Sequence, residues 1–159
     1  MNFSSRCIVA SLFALLPSQG FAADTGLVTA QSKHTVSETI QRFEAAINAN
    51  ADQGWKVFTE IDHTEAAEKA GAKLLPRTLI IFGNPRFGTP AMAKAATLAI
   101  DLPQKALVWQ DEQGRTWLTY NSGEYLQDVV FARHGLPASL EGATSFDKFL
   151  KQVGEQATR

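Results

Sequence analysis

This sequence is poor in the groups from which small proteins usually build staples and active sites. It has one cysteine in 159 residues, Cys7, so no disulfide pair and no Cys-x-x-Cys site can form within the chain. H-E-x-x-H, the Asp-rich calcium loop, G-K-[ST] and G-x-S-x-G are all missing. An all-protein metal site would have to be assembled from distant elements, because none of the three histidines stands three or four residues from another. Excess charge of one sign is absent too: 15 Lys and Arg face 16 Asp and Glu. That balance leaves no basic footprint for nucleic acid. No apolar run reaches the roughly 20 residues of a membrane span.

One shorter apolar run is present. Residues 1–22 carry Arg6, an apolar stretch from Ile8 to Leu16 and a small-x-small end at Gly20-Phe21-Ala22. This is the pattern of a secretory signal cleaved after Ala22. Cleavage removes Arg6 and Cys7, leaving 14 of the 15 basic residues against 16 acidic ones and a net charge of −2. A single cysteine-free domain over 23–159, periplasmic or secreted and with no membrane insertion, is therefore expected. Its stability would come from packing alone, which a chain of this length can supply.

The remaining chain alternates strand and helix signals. Residues 26–33 read as a first strand. Thr35-Val36-Ser37-Glu38 fits a capping box, and Val36, Ile40, Phe43 and Ile47 share one face of a helix over 36–51 closed at Gly54. Trp55 to Ile61 alternates as a strand with at least one buried face. Asp62 is placed to cap a short helix that stops at Gly71. Thr78 to Phe82 is a continuous apolar run, as in a central strand covered on both faces. Thr89-Pro90 reads as cap and first residue of a helix near 90–96, and Leu98–Leu102 as extended. Ala106–Trp109 and Thr116–Tyr120 form a hairpin around Asp111-Glu112-Gln113-Gly114. A helix over 124–133 and an amphipathic helix over 144–157, carrying Phe146, Phe149, Leu150 and Val153, complete the chain. The order argues α+β, with an antiparallel or mixed sheet and helices mainly on one face. A doubly wound nucleotide fold is disfavoured, because no Gly-rich fingerprint follows the first strand.

Particular residues carry a likeness. Gly54-Trp55-x-Val57-Phe58, Ile61-Asp62-His63, Leu79-Ile80-Ile81-Phe82-Gly83-Asn84-Pro85, Gly88-Thr89-Pro90, Ile100-Asp101-Leu102-Pro103, Leu107-Val108-Trp109 and Trp117-Leu118-Thr119-Tyr120-Asn121 occur in an order that resembles the bacterial and archaeal domain of unknown function 302 family, over about 34–136. The resemblance implies a TBP-like strand–helix–four strands–helix arrangement and no settled activity. Residues beyond Pro137 lie outside it.

Several polar residues need an explanation. Asp62 and His63 stand where a strand meets a helix; Asp62 serves as a cap, or His63 acts as base or metal ligand with Asp62 or Asp101 beside it. A metal at His63 is the lesser alternative, and no other cofactor is expected. His34 and His134 read as structural, His134 at a helix C-terminus. Asn84, Arg86 and Thr89 would present backbone N–H groups and a cation to a carboxylate or phosphate. Asp101, inside an apolar stretch, needs a partner such as Lys105, Arg77 or a backbone cap, and Lys105 is also a ligand-binding candidate. Trp109, Trp117 and Tyr120 line an aromatic pocket under the helices, or are core. The leading expectation is a non-enzymatic domain that binds a small molecule or a protein, with homodimer association through a sheet edge or an aromatic patch. An enzyme using His63, and a structural assembly module, are the alternatives.

Overall fold

The computed structural model describes residues 25–159, so the expected signal segment lies outside the described residues. Five strands form one open sheet in the order β1-β5-β4-β3-β2, every neighbouring pair antiparallel. They are β1 (Leu27–Ser32), β2 (Lys56–Asp62), β3 (Arg77–Gly83), β4 (Gln104–Gln110) and β5 (Thr116–Asn121). Helices α1 (Val36–Asn48) and α5 (Leu140–Thr158) pack together over one face. Between the strands lie α2 (His63–Lys69), α3 (Pro85–Lys94), a 3-10 turn (Ala96–Ile100), and α4 (Gly123–Tyr125), which continues as a π-helical segment (Leu126–Phe131). The strand–helix–four strands–helix arrangement is thus present, with short helices inserted.

The core follows from strand periodicity. Ile80 and Phe82 of β3, Ala106 and Val108 of β4, and Leu118 and Tyr120 of β5 point to the helix face. Phe43 and Ile47 of α1 and Leu150, Val153 and Ala157 of α5 meet them. Trp55 stacks on Phe149 at 3.9 Å between ring centroids and closes one end of this layer. A smaller cluster of Leu98, Leu126 and Val130 lies beside it. Among the described residues no helix covers the opposite face of the sheet, and Leu79, Ile81, Leu107, Trp109 and Trp117 are half-buried there.

The structure corrects several boundaries. β2 is an edge strand, exposed at all but one of its seven positions, instead of a strand with one buried face. A bulge between Val57 and Thr59 also breaks its alternation: Val57 pairs with Phe82 on the helix face, whereas Thr59 pairs with Ile81 on the open one. The helix expected at Thr89-Pro90 begins five residues earlier. The Asn84 side chain caps it by accepting from Arg86 N at 3.0 Å, and Pro90 lies inside it. Leu98–Leu102 is largely the 3-10 turn, not an extended segment, because Leu98 packs down into the second cluster. The last helix starts at Leu140, where Ser139 Oγ accepts from Gly142 N. In the first capping box only Thr35 behaves as expected; the Glu38 carboxylate turns to His34 and Arg42 instead of reaching back.

Candidate functional site

The residues singled out above do not converge. Asp62 pairs with Thr78 at one end of β3, while Phe82 pairs with Gln104 at the other. At ~3.3 Å per residue these two ends lie about 13 Å apart along the strand, and Asn84, Asp101 and Lys105 gather at the second. Asp62 is the cap of α2: its Oδ1 accepts from Thr64 N at 2.8 Å and Glu65 N at 3.1 Å. His63 is exposed in the first turn and is not joined by Asp62 or Asp101. Among the described residues no group of three His, Cys, Asp or Glu side chains stands close enough to hold a metal ion.

Asn84 is buried and structural, with Nδ2 donating to Gln53 O at 3.0 Å. Arg86 extends past Gly54, and Thr89 is exposed within α3, so no helix N-terminus is aimed from Thr89 at a ligand. Trp109 and Trp117 face each other across β4 and β5 on the open face, stacked at 6.0 Å, and Tyr120 is on the helix face. The three aromatics therefore line no common pocket. The indole of Trp109 donates to Thr119 and that of Trp117 to Asp111. Burial tends to raise the Asp111 carboxyl, but the hydrogen bonds from Trp117 and Arg115 outweigh it and hold the group at about 2.

Asp101 does have partners, though not the expected side chains. Its Oδ2 lies 2.6 Å from His134 Nε2 and 3.2 Å from Arg133 Nε. His134 Nδ1 in turn meets Thr97 Oγ1 at 2.8 Å. Lys105 donates to the carbonyls of Asp101 and Pro103 instead of the carboxylate, and burial pushes its ammonium below the ordinary lysine value. Asp101 and Lys105 both border a small cleft of about 270 Å³ with Gln104, Asn121 and Tyr125. Both imidazole nitrogens of His134 are engaged inside the protein, which makes Asp101–His134–Thr97 a clamp between the 3-10 turn and the end of the π-helical segment.

The larger cavity, about 610 Å³, was not foreseen apart from Tyr120. It is a groove between edge strand β1 and α5, floored by Val28, Ala30, Tyr120 and Gly154 and flanked by Lys33 and Lys151. α5 packs against β1 and reaches β5 through Gly154, and the groove is the space left between the helix and the edge strand. Gly154 lies against this floor: a Cβ there would make ordinary van der Waals contact, 3.5 Å from the Tyr120 hydroxyl and 3.6 Å from Leu118. Tyr120 is only 7% exposed. Its hydroxyl has no hydrogen-bond partner among the described residues and borders the groove. Burial, and then the charges of Asp147 and Glu155, push the phenol above its ordinary value, so it keeps its proton as a donor. The acids themselves are engaged: Asp147 accepts from Gly123 N at 2.6 Å, and Glu155 from Arg159 at 3.1 Å.

Fold and groove together define a two-layer α+β domain with a concave seat at one sheet edge. The chain belongs to the family described as domain of unknown function DUF302, whose profile matches residues 28–157 and so takes in α5. An uncharacterized conserved DUF302 protein from Bacillus stearothermophilus, known from its crystal structure, has the same fold: TM-score 0.65 at 19% identity, over 84% of this chain and 98% of that one. The chain is also 41% identical over 143 residues to a protein of Brucella suis biovar 1 (strain 1330) named fluoride-specific ion channel FluC 1, covering 90% of this chain and 53% of that protein. A Brucella abortus biovar 1 (strain 9-941) protein of the same name matches at the same identity over 50% of its length. The chain thus spans about half the length of these curated relatives. No helix among the described residues is long and apolar enough to cross a membrane.

Proposed function

We propose that this chain is an exported, non-enzymatic binding domain whose ligand seat is the groove between β1 and α5. The observation that carries the reading is the Tyr120 hydroxyl, which reaches an apolar groove from a residue only 7% exposed and has no hydrogen-bond partner among the described residues. A seat of several hundred Å³ with an apolar floor and few polar groups is the usual form of a small-molecule site. The floor residues would take an apolar body out of water, and the phenol would donate to an acceptor on the ligand.

Nile red, a neutral apolar dye with a carbonyl acceptor, tests this. Saturable binding of one dye per chain is expected, weakened about three- to tenfold in Tyr120→Phe and abolished in Ala30→Trp, which fills the groove from an edge strand. No binding, or binding untouched by Ala30→Trp, overturns the reading. Export is checked separately by the mature N-terminus, expected at Ala23.

A second reading comes from the relatives, since the likeness covers half of proteins named fluoride-specific ion channels. On that reading the domain is a companion of fluoride transport. A strain lacking this chain would then grow less well in fluoride, and unchanged growth would sink the idea.

A further inference from the structure

The two edges of the sheet are built differently. β2 carries Lys56, Glu60 and Asp62 and a bulge, devices that keep other strands from adding. β1, Leu-Val-Thr-Ala-Gln-Ser, has no charge, no proline and no register shift, and among the described residues only β5 pairs with it. An unprotected edge in an otherwise guarded sheet calls for a partner.

The wall of the groove says which partner. The charged residues that line it from α5 and its C-cap are Asp147, Lys151, Glu155 and Arg159. At four-residue spacing, ~6 Å of rise, they form one stripe along the helix. Read in reverse, the stripe is its own complement: Asp147 falls opposite Arg159, and Lys151 opposite Glu155. A two-fold interface requires this self-complementarity, because each patch meets its own reversed copy.

Helix and strand share a common centre. Gly154 lies against Tyr120 and Leu118, which pair with Val28 and Ala30. The middle of the stripe thus stands beside Thr29, the middle of β1. Lys33 N bonds Thr158 O at 3.0 Å, so the helix runs alongside the strand in the same direction. A two-fold axis at Thr29 would set Val28 opposite Ala30 of the second copy, keeping both on the helix face.

We infer that two copies of this chain associate edge to edge through β1, forming one ten-stranded antiparallel sheet with their α5 helices side by side and joined by the reversed charge stripes. Resting on the groove reading above, this makes the seat a shared one. The two grooves lie on the same face on either side of the axis and open toward each other.

Sedimentation of charge variants tests it. Wild type is expected as a dimer at micromolar concentration. Lys151→Glu places like charges at 151 and 155 of the facing copies, as does Glu155→Lys, and each alone is expected to dissociate at least about tenfold more readily. Mixed in equal amounts, the two variants restore opposite charges across the axis and should form the heterodimer. Repair within one helix cannot produce that result, since each chain carries only one change. A monomeric wild type, variants that stay dimeric alone, or a mixture that stays monomeric overturns the inference. Nile red titration of the same samples keeps the two readings apart: a monomer that still binds dye loses the dimer and keeps the groove, and a dimer that binds none does the reverse.

Discussion

His134 shows what one side chain can hold. Its side chain is 6% exposed, and it links Asp101 on one side to Thr97 on the other. Replacing it by Ala strands a partly buried carboxylate with only Arg133 beside it and leaves a hole among the clamp residues. A loss of about 2–3 kcal/mol in urea unfolding is expected for His134→Ala. Thr97→Val, which removes only the exposed end of the clamp, should cost about 1 kcal/mol or less. Equal losses in both would show that the clamp is not arranged as described. Half of this arrangement could be read from the sequence. A carboxylate in the apolar stretch around Asp101 demanded a partner, and it has one. The partner is 33 residues away at the end of another helix, and no local spacing joins them. Tyr120 was visible as an aromatic with a polar tip, but its lack of a partner depends on where α5 comes to rest.

Among the elements, the contact between α1 and β2 carries a pH dependence. Glu44 of α1 reaches Glu60 of β2, and burial, with a hydrogen bond and repulsion from Glu60, raises its carboxyl to about 7. Because the folded value lies above the unfolded one, the protonated pair stabilises the fold at low pH. That contribution is complete below about 4.5 and disappears as pH rises through about 7. Glu60 is exposed and Glu44 half-buried, so solvent screening holds the effect to about 1 kcal/mol. The melting temperature should therefore fall from pH 5 to pH 8 in the native chain and fall less in Glu44→Gln. A parallel fall in both would remove Glu44 as the cause. Helix α3 shows why element boundaries were harder to read than elements. Asn84-Pro85 and Thr89-Pro90 are equivalent local signals for a helix start. Asn84 prevails because its amide is also tied to Gln53 O across the end of the sheet. The alternation that marked β2 as a strand was real, but only the bulge and the edge position show which side chains it leaves in water.

For the whole molecule, the α+β class and the antiparallel sheet with helices on one face were legible, because the apolar run of β3 and the hairpin of β4 and β5 specify the centre of the sheet. The strand order was not, since β1 finds its place beside β5 through contacts far along the chain. That order makes one edge receptive and the other guarded, and it sets the open groove against the receptive edge. The uncovered face with Trp109 and Trp117 is held by its own indole hydrogen bonds, which leaves the β1 edge as the surface with unused capacity.

The pairing of β1 with β5 also sets a timetable. Thr29 must wait for Thr119, 90 residues later, before the two hydroxyls can meet, and the wall of the groove is completed only when Thr158 arrives to accept from Lys33. Closing so long a loop slows folding. A chain interrupted partway therefore has neither a complete groove nor a finished sheet, and both wait for the last helix.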